Sequence, residues 1–239
     1  MLLLGFGSKA RQGKDTAATA IKTYYDKKNE YFEEIGIARK KEGLIKVGIF
    51  KYAAALYEEV NAWLKQAEDF GSVPGQLYFV TDENQKVHPI PEWVQPDPNP
   101  EISPLAPYGK HPKLLQWWGT EFRRNNFGQD YWVKKTFANI PANLDIAMIT
   151  DVRFPNEATA IEERGGYTIQ CIRLREDGTP FVDSSRPADH PSETALDNWN
   201  WNFRIVTPNG HAALTGEVAI TYAEYLRELN RDMKKGETR

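Results

Sequence analysis

The sequence predicts an α/β fold: a parallel sheet flanked by helices, with a proline-rich flap inserted into it. Three observations carry this. The apolar run at residues 2–6 passes through "GSKARQG" straight into an alanine-rich stretch, the strand–turn–helix order from which parallel sheets are built. The second half repeats that order, with "LDIAMIT", "PNEATAIEERGG" and "YTIQCIRL" in succession. Eight prolines fall between Pro89 and Pro112, a density that helix interiors and central strands do not tolerate.

Residues 2–6 are apolar throughout, as a strand buried on both faces is. A helix is expected over 13–28. A second is expected over 51–70, where Ala55, Leu56, Val60, Trp63 and Leu64 recur at helical spacing. "QLYFVTDENQKVHPI" reads as two short strands around an Asp-Glu-Asn-Gln turn. Residues 71–112 form the flap, with no regular element expected after Pro89, and with Tyr78, Phe79 and Trp93 available for packing. Helices are then expected from Lys113 to about Asn126 and over 131–140. "LDIAMIT" is a buried strand ending at Asp151. The helix after it carries Pro155 in its first turn and Gly165 at its end. "YTIQCIRL" is a strand, "REDGTPFVDSSRPADHPSE" a polar loop, "FRIVTPNG" a strand with a turn, and 217–234 an amphipathic helix. One domain is expected over 1–239, with an insertion and acceptor-binding region at about 40–140.

Bulk properties narrow the function. The 239 residues carry a net charge of −3, with both signs mixed along the chain. That disfavours a nucleic-acid polymer as partner, which calls for a basic face. Apolar runs are too short to span a bilayer, and the first six residues are too short for a signal peptide. The single cysteine, Cys171, excludes an internal disulfide and reads as a core thiol, in keeping with a reducing cytoplasm. The four histidines show no metal spacing. Oligomeric state is left open, a homodimer being one option.

"GFGSKARQGKDT" is the first chemical signal. A phosphate loop needs backbone N–H groups that converge on phosphate oxygens, a lysine that reaches the outer phosphates, and a helix N-terminus that favours negative charge. Gly13 and Lys14 stand at the end of that pattern. Ser8 replaces the first glycine, and Asp15 followed by Thr16 replaces the usual hydroxyl residue. The alternative is a glycine-rich turn that holds no ligand; the strand before and the helix after favour the grip. A carboxylate beside phosphates repels them unless neutralised, so Asp15 is expected to be a Mg²⁺-water ligand or an organiser of basic groups. Lys9 and Arg11 add positive charge to the loop.

Two more clusters follow. In "AMITDVRFPNEA", Asp151 ends a strand at the sheet's carboxyl edge, where open α/β folds bind ligands, and Arg153 and Glu157 come next. Asp151 fits an acidic group that holds hydrated Mg²⁺, or simply a helix cap with a surface ion pair. In "LLQWWGTEFRRNNFGQDYW", Leu115, Trp118 and Phe122 share a helical face. Arg123 and Arg124 fall on the polar side, as a bidentate phosphate clamp or as a solvated pair. Asp130 could orient an arginine. Trp132 could stack on a base, though such a tryptophan is more often core.

"KARQGKDT", "FKYAAALYEEV", "WWGTEFRRNNFGQDYWV", "TDVRFPNEA" and "HPSE", in this order over residues 1–197, resemble the bacteriophage deoxynucleoside monophosphate kinases, a branch of the P-loop nucleoside monophosphate kinase fold. The resemblance implies Mg²⁺-dependent transfer of the ATP γ-phosphate to a 5′-deoxynucleoside monophosphate, in the cytoplasm of a host cell if the chain is phage-encoded. It implies that Gly13, Lys14, Asp15 and Thr16, with Arg11 beside them, form the donor loop, and that Asp15 and Asp151 hold the metal through water. By the same resemblance, Arg153 is expected to join Lys14, Asp15 and Asp151 in catalysis. The resemblance places Arg123 or Arg124, with Asp130, Trp132 and Glu157, on the expected acceptor side. An arginine among Arg173, Arg175 and Arg186 would serve the transition state from a small lid, and His190 reads as a structural hydrogen-bonding group. Ser8 departs from the family's commoner glycine. The competing readings are a kinase for another small phosphorylated metabolite and a catalytically silent nucleotide-binding module.

Overall fold

The computed structural model describes residues 1–35, 44–69, 79–94, 100–183 and 191–236. The chain divides into two compact units, Met1–Lys51 with Ala138–Arg239, and Tyr52–Phe137. The first opens with strand β1 (Leu2–Gly7), helix α1 (Lys14–Glu34) and strand β2 (Val47–Phe50). The second contains helix α2 (Tyr52–Asp69), strands β3 (Phe79–Thr81), β4 (Val87–Pro89), β5 (Glu101–Ser103) and β6 (Ala106–Lys110), and helix α3 (Pro112–Trp117). A π-helical turn (Trp118–Arg124) runs on from α3 into α4 (Asn125–Phe127), and α5 (Tyr131–Ala138) closes the unit. The chain then returns to the first unit through β7 (Ile146–Val152), α6 (Pro155–Glu162), β8 (Tyr167–Leu174), α7 (Pro191–Thr194), β9 (Phe203–Pro208) and α8 (Ala212–Gly236).

The first unit is α/β, with a five-stranded sheet in the order β2-β7-β1-β8-β9. Every neighbouring pair in it is parallel. Leu2, Leu4 and Phe6 of β1 pack with Ala17, Ala18 and Ile21 of α1 and with Ala219, Ala223 and Leu226 of α8. The opposite face carries α6: a Cβ at Gly5 would lie 2.3 Å from Ile161 Cδ1. Helices therefore cover both faces, which is why the central strands are apolar without alternation. From β1 the chain runs on toward β2 on one side, and from β8 toward β9 on the other. Such a divergence opens a crevice at the carboxyl ends of the strands.

The second unit has its own core of Ala55, Val60, Leu64, Val80, Val94, Leu114, Trp117, Trp118, Phe122 and Trp132. Two expectations are corrected here. The proline-rich stretch does contain regular structure, since β5 and β6 pair antiparallel. This two-stranded ribbon accommodates Pro107 because each strand has an outer edge on which no N–H is required. Phe79 and Trp93 do not anchor the flap: they are 58% and 46% exposed, and Val80, Val94 and Ala106 are buried instead. Tyr78 lies outside the described residues.

The helix expected from Lys113 to about Asn126 is interrupted by the π turn, and this changes which residues face inward. A π turn takes in one more residue than an α turn, so the phase slips within it. Trp117, Trp118, Phe122 and Arg123 are all buried, while Leu115 is only half-buried.

Candidate phosphate-binding site

The loop between β1 and α1 lies at the carboxyl edge of the sheet. Gly7 ends β1 in a space with no room for a side chain: a Cβ there would lie 2.1 Å from the Trp201 ring and 2.8 Å from the Val152 carbonyl oxygen. Three loop residues take positive φ, Ser8 at 131°, Arg11 at 56° and Gly13 at 92°. Gly13 is the N-cap of α1, and no side chain caps the helix. The first N–H groups of a 21-residue helix thus lack the side-chain acceptor that ordinarily satisfies one of them. Such a terminus favours an anion.

Lys14, the first residue of α1, is 6% exposed. Its ammonium turns back into the loop and donates to the Ser8 carbonyl (3.1 Å) and to the Lys9 carbonyl. Burial, and next the positive charge of Arg153, bring its pKa down to about 8. A buried cation crowded by a second cation is favourable ground for an anion. Cys171 is fully buried, and burial holds its thiol at about 12, so it is an unreactive core thiol.

The loop is tied to distant segments by polar contacts. Gln12 donates through Nε2 to the Phe181 carbonyl (2.5 Å), and its Oε1 accepts from the Arg173 amide (2.5 Å). The Ala10 amide donates to Glu193 Oε2 (2.8 Å). Lys9 pairs with Asp197 at 3.2 Å and Arg11 with Asp183 at 3.3 Å. Gln12, Glu193, Asp183 and Asp197 carried no assigned role in the sequence; "HPSE" drew notice as a motif without marking which of its residues reaches the loop.

Asp15 and Thr16 are both exposed in the first turn of α1. Burial by itself would raise the Asp15 pKa. The hydrogen bond and charge of Lys51, with a hydrogen bond from Thr150, outweigh this and lower it. Lys51 Nζ lies 2.7 Å from Asp15 Oδ1, and Thr150 Oγ1 donates to the same oxygen at 3.0 Å. Lys51 directly follows β2, at the same sheet edge as Asp151. Position after a strand, the signal that singled out Asp151, could have found Lys51 too.

Asp151 is the penultimate residue of β7 and half-buried. Arg153 follows the strand. Its amide donates to Glu157 Oε2 (2.8 Å), as does that of Phe154 (3.1 Å). Glu157 is 3% exposed, so it caps the start of α6. Arg153 Nη1 donates to Glu193 Oε1 (2.5 Å) and to the Ser192 carbonyl (3.1 Å). Ser8, Lys9, Arg153, Ser192, Glu193 and Asp197 are among the residues that line a cavity beside the loop. Arg173 stacks on Phe181, 3.6 Å from guanidinium carbon to ring centre. Arg175 is exposed, while Arg186 and His190 lie outside the described residues.

The second unit holds the other predicted residues. Arg123 is not on a solvated face. It is 9% exposed, and it donates through Nε to Glu59 Oε2 (2.6 Å) and through Nη1 to Glu83 Oε2 (2.8 Å). Its guanidinium also lies over Phe122, Phe127 and Tyr131. Glu59 collects Trp118 Nε1 (2.9 Å), Tyr131 Oη (2.6 Å) and Lys135 as further donors. Burial would raise its pKa, but these donors and Arg123 lower it. Glu59, which the sequence reading did not single out, stands four residues after Ala55 on the apolar stripe of α2, a placement that could have marked it as a buried carboxylate. Trp132 is core: it is 3% exposed, and its Nε1 donates to the Gly119 carbonyl (2.9 Å). Arg124 is half-buried and Asp130 exposed.

No protein-family model matches the chain, and no curated protein matches it. No helix among the described residues is long and apolar enough to cross a membrane.

Two outcomes follow from this geometry. Ser8 occupies backbone space that favours glycine, at a cost of about 1–3 kcal/mol, while a glycine there would lose roughly 0.5–1 kcal/mol more conformational entropy on folding. Strain relief should win, and Ser8→Gly should raise stability by about 1 kcal/mol in chemical denaturation. Arg123→Ala should lower it by roughly 3 kcal/mol, because it strips a buried carboxylate of its guanidinium. If Arg123 were a solvated residue, the denaturation midpoint would not move.

Proposed function

We propose that the chain transfers the γ-phosphate of ATP to a 5′-deoxynucleoside monophosphate. The observation that carries the donor half is the buried, carbonyl-held Lys14 at an uncapped helix N-terminus, with Arg153 near enough to depress its pKa. Loop N–H groups and Lys14 would cradle the β- and γ-phosphates, with Gly13 allowing the backbone's close approach and Thr16 at the loop's end. Support for the acceptor half comes from the motif order "GKDT", "GTEFRRNNFGQDYWV" and "DVRFPNE", and it favours a nucleotide over another phosphorylated metabolite.

In the reaction an acceptor phosphate oxygen forms a bond to the γ-phosphorus, and the bond from that phosphorus to the β–γ bridging oxygen breaks, leaving ADP. Positioning and charge neutralisation carry most of such a reaction. Lys14 and Arg153 supply positive charge. Asp15 has Lys51 as its counter-charge, which answers the repulsion that a carboxylate would exert beside phosphate. Among the described residues no three acidic, histidine or cysteine side chains cluster as a metal site. A Mg²⁺ ion would rest on phosphate oxygens and water, with Asp151 and Asp15 as outer partners, the usual way this ion is held. It would supply charge neutralisation across the β- and γ-phosphates. On the acceptor side Arg124 and Asp130 remain the candidates, Arg123 being committed to Glu59 and Glu83.

ADP release measured with a panel of monophosphates tests the proposal. Turnover is expected with deoxynucleoside monophosphates, and Lys14→Ala should lower kcat by on the order of 10²-fold or more. Turnover only with non-nucleotide acceptors would favour a metabolite kinase, and ATP binding without turnover a silent module.

The lysine also sets a pH signature. With the Lys14 pKa at about 8, half the molecules carry a neutral amine at that pH, and bound phosphates favour the charged form. ATP binding near pH 8 should therefore take up protons, and affinity should weaken as pH rises through and above that value. Calorimetry in buffers of different ionisation enthalpy reads the uptake directly. Equal heats in all buffers would mean that Lys14 does not meet the phosphates.

A further inference from the structure

Glu193 is a carboxylate that the proposed chemistry does not use, yet it lies at the centre of the phosphate loop's support. It is 9% exposed. One oxygen accepts from the Ala10 amide, midway round the loop, and the other from Nη1 of Arg153. Glu193 thereby ties the loop between β1 and α1 to the turn that follows β7.

The geometry at Arg153 makes this more than a tie. Its backbone is fixed by Glu157 through the amide contact at 2.8 Å. Its guanidinium is fixed at one nitrogen only: Nη1 spends its two hydrogens on Glu193 Oε1 and the Ser192 carbonyl. Among the described residues Nε and Nη2 make no hydrogen bond. One side of a planar, five-donor group is therefore anchored, and the remaining donors stay open beside a loop that lines the same cavity. Buried ion pairs contribute little net stability compared with apolar packing of the same volume. What Glu193 does supply is orientation, because it fixes one nitrogen of a rigid fork and so fixes the direction of the others.

We propose that Glu193 is a positioning residue for phosphoryl transfer: it holds Arg153 so that the Nε and Nη2 donors face the transferred phosphoryl group, and holds the loop at Ala10 in register with it. The inference rests on the kinase reading above. Glu193 touches neither substrate; it acts through Arg153 and through the loop.

Glu193→Gln tests this with the smallest change, since the amide keeps an acceptor for the Ala10 N–H and removes the charge that orients Arg153. It should lower kcat roughly 10- to 100-fold, the cost of a small misplacement of a catalytic group, while leaving the KM for ATP within about twofold because the loop N–H groups and Lys14 are untouched. In the double variant with Arg153→Ala, kcat should equal that of Arg153→Ala alone, because two residues that act as one unit are not additive. A readout independent of turnover is the ¹⁵N spectrum of the Arg153 guanidinium. Rotation about its C–N bonds should be slow in the wild-type chain and fast in Glu193→Gln. Fast rotation in the wild-type chain overturns the proposal. So does Glu193→Gln with wild-type kcat, or a double variant in which the two losses multiply. Wild-type protein with no turnover on any acceptor overturns the kinase reading and this inference together. Turnover with an unaffected Glu193→Gln overturns this inference alone.

Discussion

A buried ammonium group held by backbone carbonyls is the constraint on which the first unit is arranged. Lys14 is held by two backbone carbonyls, and these can point inward only because the loop bends through left-handed conformations at Ser8, Arg11 and Gly13. A loop bent in this way does not hold itself. Its conformation is unfavourable for two of the three residues, so it persists where surrounding contacts over-determine it. Gln12, Ala10, Lys9 and Arg11 supply those contacts, each to a residue more than 150 positions away. The sheet makes this reachable: β1 lies between β7 and β8, so the segments that follow those strands converge on the loop.

The acidic residues of the described chain divide by what they hold. Asp15 is matched by Lys51, Arg153 by Glu193, and Arg123 by Glu59 and Glu83. In each pair a carboxylate fixes a cation in one direction, and the pairs differ in what remains accessible. Arg123 lies under three aromatic rings with two carboxylates on its donors, which makes it a core element of its unit. Arg153 keeps donors open beside the loop. Lys51 and Asp15 are partly solvated, so their mutual attraction is weak and either can be drawn away by a stronger charge. The same residue types therefore span a range from structural to responsive, set by burial and by the number of partners.

Much of this was legible in the chain. The strand at residues 2–6, the helices after it and at 51–70, the paired strands around Asp82–Gln85, and the strand–turn–helix at Asp151 follow from apolar period and from Pro and Gly placement, which act locally. The tight loop between β1 and α1 was legible for the same reason, since its lysine, glycine and helix start lie within a few residues. The departure at Ser8 was visible too, and its meaning is a strained φ. What could not be read was any partner brought from afar. Glu193 and Lys51 owe their roles to strand order, and Glu59 owes its role to a helix that packs on another 60 residues later. No local pattern encodes which distant carboxylate meets which cation.

The α/β class, the strand–turn–helix order at β1 and at β7, the glycine–lysine turn before α1 and the acidic–basic turn after β7 are written locally, because side-chain period, chain stiffness and glycine freedom are properties of neighbouring residues. Tertiary structure alone decided which arginine is buried and which is available. A single π turn slips the helical phase and rotates Arg123 into the core, and the adjacency of β1, β7 and β8 delivers Glu193 to Arg153. Both outcomes depend on packing energies between segments far apart in sequence, and those energies exist only once the chain has closed on itself.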